Sequence, residues 1–464
     1  MFLQLLLAAM TLLPSMERPM TPIHLHPENP RYFLFRGKPT LLITSAEHYG
    51  AVLNADFQFK PYLDTLRAHG FNLTRIFTGV YMEDPQSFGI TRNTLAPAPG
   101  RLLCPWARSD TPGYANGGNK FDLNRWDDAY FRRLKEFVRE AGKRGVVVEV
   151  SLFCPYYEDS MWNLSPLNIR NNVNGIGNVP RTEVNTLKHP AILAVQEAMV
   201  RKIVTELKEF DNLYYEICNE PYFGGVTLEW QHRIADVIME TQKGFPAPFM
   251  IAQNIANGSA KIEKPHPAVS LFNFHYANPP DAVAVNAHLK KAIGFDETGF
   301  KGIADTPYRT DGWEFLLAGG AVYNHLDYSF TVGHEDGTFP LPPTQPGGGG
   351  PSLRRQLQTL REFIARFDFW KMRPANEIVR GGVPEGATAR VLMEEGRAVA
   401  LYLKGGTQAQ LKLTLPAGNW TAEWVHPRTG ETVKPRSYRH AGGELTLASP
   451  PYTEDIALRL ARRP

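Results

Sequence analysis

From about residue 40 to residue 370, short apolar runs rich in β-branched residues alternate with longer stretches whose apolar positions recur at helical spacing. Eight of the short runs read as strands: residues 40–45, 73–77, 146–153, 213–217, 249–253, 269–275, 292–296 and 320–325. Helices are predicted over 59–68, 127–143, 191–209, 228–243 and 352–367, with His69-Gly70 and Gly145 as stop signals. Strands that alternate with helices pair in parallel, because the helix is the crossover that parallel pairing needs. Eight such units fit a closed (β/α)8 barrel. An open doubly wound sheet is the alternative, but no GxGxxG follows the first strand.

Three segments interrupt this rhythm. Residues 81–120 follow the second strand, 155–190 the third and 331–351 the eighth, and all are rich in Pro, Gly or Asn. Each lies after the C-terminal end of a strand, the barrel face that carries active sites. Inserts of this length are usually functional walls or lids. The run Gly347-Gly-Gly-Gly350 has no following Lys-Ser/Thr, which argues against a phosphate loop. Beyond Pro374 the pattern becomes short and alternating, with strands expected at 390–393, 398–403, 410–415, 421–425, 444–448 and 455–460. The expected organisation is a barrel over 21–374, opening with an N-terminal hairpin, and an all-β sandwich over 375–464. Residues 1–20 read as a signal peptide with an apolar core but no positive start, so a secreted or periplasmic location is expected.

Composition narrows the function more than the fold. The 464 residues carry a net charge of +3, too small to point to nucleic acid or an anionic membrane as partner. Cys104, Cys154 and Cys218 form neither a disulfide framework nor a zinc spacing. His24-Leu-His26 and His325-x-Asp327 resemble pieces of a zinc-dependent barrel hydrolase. However, the first pair precedes the barrel, and neither strand four nor strand five ends in Lys or His, so no metal and no cofactor are expected.

Two strand ends carry the chemistry. Tyr214-Tyr-Glu-Ile-Cys-Asn-Glu-Pro221 closes the fourth strand on Glu220, because Pro221 cannot continue a central strand. Ala292-Ile-Gly-Phe-Asp-Glu-Thr-Gly299 closes the seventh on Glu297. Its neighbour Asp296 is the competitor, since strand alternation turns only one of the two inward. Strands four and seven face each other across a barrel. A carboxylic acid there opposite a carboxylate is the pair that glycoside cleavage uses, one to protonate the leaving oxygen and one to attack the anomeric carbon.

Asn-Glu-Pro on strand four with Glu-x-Gly on strand seven resembles clan A of the glycoside hydrolases, especially its cellulase-like family 5. Gly70-Phe-Asn-Leu-Thr-Arg75 is similar to the clan's second strand and Phe272-Asn-Phe-His275-Tyr276 to its sixth. The resemblance implies an enzyme that cleaves β-linked glycans or oligosaccharides with retention. It makes Glu220 the acid/base and Glu297 the nucleophile. Arg75 and Tyr276 would support the nucleophile, His275 would line the sugar site and Asn219 would hold the sugar 2-hydroxyl. The C-terminal sandwich is similar to the accessory β domain of such barrels. The chain departs from the clan in lacking a Trp on strand eight, where Tyr323-Asn324-His-Leu-Asp327 stands, and in ending strand three on Phe153-Cys-Pro-Tyr-Tyr157. Glu47, His48, Trp162, Tyr323 and Asn324 are therefore the candidate sugar contacts. The three inserts favour a walled pocket and exo action. A silent carbohydrate-binding barrel and a transglycosylase built on the same residues are the competing readings.

Overall fold

The computed structural model describes residues 21–463. All eight expected strands form one sheet: Leu42–Ala46, Leu73–Phe77, Val147–Phe153, Leu213–Cys218, Ile251–Asn257, Val269–His275, Ala292–Thr298 and Val322–Leu326. From the second strand to the eighth, sequence neighbours pair in parallel, and the eighth pairs with the first. The seam between the first and second strands is closed through Asn72. Its Nδ2 donates to the Leu41 carbonyl (2.7 Å), its Oδ1 accepts from the Ile43 N–H (2.9 Å), and its own N–H donates to the Ile43 carbonyl (3.2 Å). The result is a parallel barrel with the helices outside.

The helices form where a one-sided apolar stripe meets a start signal. In Asp128–Lys143 the buried residues Tyr130, Phe131, Leu134, Phe137, Val138 and Ala141 share one face. Asp127 caps that helix by accepting from the Ala129 N–H (2.8 Å) and the Tyr130 N–H (3.2 Å). Ahead of the barrel, the hairpin strands His24–Leu25, Phe33–Phe35 and Lys38–Thr40 cover the N-terminal ends of the strands. There the Ile23 N–H bonds to the Asp211 carbonyl (2.9 Å), and Arg36 grips the Asp211 carboxylate at 2.7 and 2.8 Å. The opposite, C-terminal mouth stays open. The second strand's insert folds partly as a hairpin, Trp106–Pro112 with Asn119–Trp126, and the third strand's insert begins with the short helix Asp159–Leu164. The Gly run packs under the eighth strand's end: a Cβ at Gly349 would sit 2.0 Å from Asp327 Oδ1.

Besides the short helices Asp159–Leu164 and Asp281–Val285, one long helix escapes the sequence pattern. Asp305–Leu317 links strands seven and eight, and every residue from Tyr308 to Leu317 is buried. It lies between the barrel and the C-terminal region, so it has two buried faces and no single apolar stripe. The C-terminal region itself is antiparallel, with a sheet of six strands and one of three. Val391, Leu401, Leu411, Leu413, Trp420 and Leu458 fill the space between the sheets. Arg436–His440, missed from sequence, is largely exposed and lies at the edge of the larger sheet. The outer face of that sheet joins the barrel core through Leu392, Ala400, Tyr402 and Ala457.

Arg309 on the sandwiched helix holds Asp455 of the C-terminal region at 2.9 and 3.1 Å, and Tyr402 donates to the same carboxylate at 2.9 Å. Arg309→Ala leaves that buried carboxylate without its counter-charge. It is expected to lower stability by about 3 kcal/mol in urea unfolding, where a change under roughly 1 kcal/mol would show the pair to be incidental.

Candidate active site

The barrel mouth opens into a cavity of about 390 Å³. Its floor is made by residues that leave the strands in an unusual backbone conformation. Tyr49, Glu220 and Tyr276, after the first, fourth and sixth strands, have φ of 60°, 36° and 50°. This left-handed region costs a non-glycine residue roughly 1–3 kcal/mol. Three such residues together turn their side chains inward over one space.

Glu297 is surrounded by donors. Tyr49 Oη lies 2.7 Å from its Oε2, Tyr276 Oη 2.9 Å from its Oε1 and Arg75 Nη1 3.5 Å from its Oε2. His275 Nδ1 is 3.4 Å from Oε1. Burial disfavours a charge here, but the His275 charge and hydrogen bond, the Arg75 charge and the Tyr49 hydroxyl outweigh it. Together they hold the Glu297 carboxyl well below the usual carboxylate range. Glu220 accepts from Tyr157 Oη (2.6 Å) and Tyr222 Oη (3.1 Å), and His275 Nδ1 lies 3.1 Å from its Oε1. Burial also works against a charge on His275. The Glu297 and Asp296 carboxylates overcome it and raise the imidazole well above its ordinary value. One oxygen each from Glu220 and Glu297 and one nitrogen of His275 lie within 4.8 Å of one another.

Beneath this floor the barrel interior is polar, as the alternation Val-Glu149-Val-Ser151 and Tyr-Glu216-Ile on strands three and four requires. Arg75, fully buried, donates to Glu216, to Asn219 Oδ1 (2.8 Å) and to Ser151 Oγ (3.0 Å), and stacks over Tyr49 at 4.6 Å. Burial, with Glu216 and Asp296 nearby, pushes the Glu149 carboxyl well above the usual range. Glu149, Glu216 and Asp296 also approach within 4.8 Å of one another, but the Arg75 guanidinium already supplies the positive charge among them. Among the described residues, the other carboxylate–imidazole group with metal-ligand spacing is the trio of Glu220, His275 and Glu297 itself.

Both members of the Asp296-Glu297 pair face the interior, which strand alternation forbids. The cause is an irregularity in the seventh strand. Phe274 pairs with Phe295 and His275 with Glu297, so Asp296 is an extra residue. The bulge drops Asp296 onto the buried side, 3.5 Å from His275 Nε2, and lifts Glu297 into the cavity.

The structure brings Glu220, Glu297, Asn219, Tyr276 and His48 to the cavity wall, with Arg75 immediately below. Four expected contacts are displaced. Glu47 is fully buried and accepts from the Gly50 N–H (3.0 Å), the Ala51 N–H (2.9 Å) and Thr94 Oγ1 (2.6 Å), so it fixes the turn after strand one. Trp162 packs on Tyr156 and donates to the Val179 carbonyl (3.0 Å) inside its insert. Tyr323 and Asn324 are fully buried, their side chains bound to the Tyr308 and Asp296 carbonyls at 2.5 and 2.9 Å. Asp327 pairs with Arg354 at 2.7 Å. His275 does not line the cavity; it sits behind both glutamates.

Sequence reasoning missed Tyr49, Tyr157, Tyr222, Glu83 and a rim of phenylalanines. Glu83 comes from the insert after the second strand and lies 3.4 Å from His48 Nε2. Burial of the His48 ring opposes its protonation, yet the Glu83 charge raises it above its ordinary value. The tyrosines follow strand ends or Glu220 closely, which was the available signal.

No protein-family model matches the chain, and no curated protein matches it by sequence. Solved structures do match. A Bacteroides vulgatus protein described as a candidate glycoside hydrolase superposes with a TM-score of 0.67, at 14% identity, over 97% of this chain and 84% of its own. A family 5 glycoside hydrolase from the same organism gives 0.64 at 13% identity over 95% and 93%. A family 5 mannosidase from Rhizomucor miehei gives 0.50 at 12% identity over 75% and 99%. The fold is that of glycoside hydrolases. In this glycoside hydrolase fold, the Glu220 and Glu297 ends of strands four and seven meet across the open mouth, and the C-terminal β region lies within the matched span of the two Bacteroides structures.

The Tyr49 hydroxyl gives a pH prediction. Glu297 is held below the value of 4.5 for a free glutamate. Activity that needs its ionised form therefore persists as the pH falls through that value and is lost only further into acid. Tyr49→Phe removes the 2.7 Å donor. The acid limb of kcat/KM should then move upward by about half a unit to one unit; an unmoved limb would show that another group sets it.

Proposed function

We propose that this protein is a retaining glycosidase of β-linked glycosides, with Glu220 as acid/base and Glu297 as nucleophile. The observation that carries the reading is the approach of Glu220 and Glu297 oxygens to within 4.8 Å over an open cavity. Retaining enzymes hold their carboxyl groups roughly 5–5.5 Å apart, whereas inverting ones need about 6.5–9.5 Å for an intervening water.

The two glutamates have different surroundings, as the two roles require. Glu297 faces Arg75, the charged His275 and two tyrosine hydroxyls, so it is ionised and ready to attack the anomeric carbon. Glu220 passes its proton to the glycosidic oxygen as that bond breaks, and the aglycone leaves as an alcohol. Glu220 then takes a proton from water. The water oxygen bonds to the anomeric carbon, and Glu297 departs as a carboxylate. His275, 3.1 Å from one glutamate and 3.4 Å from the other, stabilises negative charge on whichever carries it at each step. Asn219 is held by Arg75 and Tyr157, and its weak 3.5 Å contact to Cys154 Sγ is the one a sugar 2-hydroxyl displaces. The linkage assignment as β follows the clan's strand-four and strand-seven arrangement.

Proton NMR of the first-formed sugar tests the stereochemistry. A β-glycoside should give the β-anomer before mutarotation. Initial appearance of the α-anomer would rule out double displacement.

A further inference from the structure

The cavity is polar at its floor and apolar at its rim, and the rim is unusual. Phe88, Phe223 and Phe300 are 44%, 43% and 41% exposed, and they are the exposed phenylalanines among the described residues. All three line this one cavity. They come from three separate places: the insert after the second strand, the turn three residues after Glu220, and the turn three residues after Glu297. Yet they converge. Phe88 meets Phe300 at 6.2 Å and Tyr157 at 5.4 Å, and Phe223 meets Tyr157 at 5.8 Å. Phe88 and Phe300 also hold positive φ, 56° and 35°, a backbone cost that the fold sustains to present them. A site for sugar rings on both sides of the cleaved bond would be served better by Tyr or Trp, which join an apolar face to a polar tip. Phenylalanine offers only the face, and a converging exposed apolar rim marks a place where apolar matter binds.

The position of the rim tells which half of the substrate it meets. The acid must reach the glycosidic oxygen, so the aglycone lies on the Glu220 side. Phe223 follows Glu220 in the chain, and Tyr157, which donates to Glu220, carries Phe88 and Phe223 on its ring. Phe300 follows Glu297 in the chain but joins this rim through Phe88 at 6.2 Å; the rest of the wall on the nucleophile side is His48, Tyr49 and Glu83. Among the described residues His48 Nδ1 has no hydrogen-bond partner and Nε2 has only the 3.4 Å approach of Glu83, although the residue is only 8% exposed. Among the described residues no Lys or Arg lines the cavity; the charged lining groups are Glu83, Glu220, Glu297 and His48. With three carboxyl groups against one imidazole that already faces Glu83, that wall suits a neutral terminal sugar and disfavours a uronate or a sulfate.

Accordingly we propose, resting on the glycosidase reading above, that the substrate is a small glycoside. It carries one neutral terminal sugar against the His48–Glu83 wall and an apolar aglycone, not a further sugar, against Phe88, Phe223 and Phe300.

Methyl and hexyl β-glycosides of glucose, galactose, mannose and xylose separate the possibilities, because their leaving alcohols have similar acidity and differ in apolar length. For the sugar that is cleaved, kcat/KM for the hexyl glycoside is expected to exceed that for the methyl glycoside about 10- to 100-fold. It should also exceed that for the matching disaccharide. In Phe88→Ser and Phe223→Ser the hexyl-to-methyl ratio should fall towards one. A ratio near one in the unaltered protein, or a disaccharide preferred to the hexyl glycoside, overturns the aglycone proposal while leaving the glycosidase reading intact. If nothing is cleaved, the glycosidase reading fails and titration calorimetry of the same pairs still decides the rim: tighter hexyl binding by about tenfold supports it, and equal binding overturns it.

Discussion

Glu297→Ala is expected to lose at least about 10⁴-fold in kcat, and added azide should restore turnover with an α-glycosyl azide as product. Removing a nucleophile that no other group replaces costs on the order of 5–8 kcal/mol of barrier. The deletion leaves a space lined by the Tyr49 and Tyr276 hydroxyls and faced by Arg75 and His275, all previously turned to the carboxylate. A small anion fits such a space. Azide there attacks the anomeric carbon from the nucleophile's face while Glu220 still donates its proton, so a β-glycoside gives the inverted azide. If Asp296 were the nucleophile instead, Glu297→Ala would keep turnover and Asp296→Ala would abolish it. The burial of Asp296 beneath the floor argues for the opposite result.

Glu220→Ala should be selective where Glu297→Ala is not. Loss of a general acid costs roughly 10²–10⁴-fold, but only for leaving groups that need the proton. Dinitrophenyl glycosides should retain near-normal first-step rates, whereas alkyl glycosides should lose most of their activity. The second step loses its base, so the glycosyl-enzyme should accumulate, and azide should then give the β-glycosyl azide. Uniform loss across all leaving groups would mean that Glu220 holds the floor together instead of transferring a proton. Its contacts to Tyr157, Tyr222 and His275 are the ones such a structural role would use.

The barrel was legible because its strands and helices differ in period, and eight strand-ends could be counted. Glu220 was legible for a local reason: Pro221 ends the strand one residue later. Glu297 was harder, since alternation admits one of two adjacent carboxylates and only the bulge at Asp296 seats both. The helix Asp305–Leu317 was hidden because it is buried on two sides and so lacks an apolar stripe. The misplaced contacts share one cause. Glu47, Tyr323 and Asn324 sit at or near strand ends, as the cavity-lining residues do, but their side chains are consumed by backbone groups of neighbouring segments. Trp162 lies in the right insert with its ring turned inward. Glu83 and Phe88 stand inside an irregular loop, where no periodicity points to the cavity. Their partners across it, His48 and Phe300, are far away in the chain.

Double displacement requires a covalent bond between the sugar and Glu297. Incubation with a 2-deoxy-2-fluoro β-glycoside bearing a dinitrophenyl leaving group slows the second step more than the first and traps the intermediate. Peptide mass spectrometry should then find one fluoroglycosyl adduct, on the Glu297 carboxylate, and none in Glu297→Ala. Rapid release of dinitrophenol with no adduct, or an adduct on Asp296 or Glu220, would contradict it.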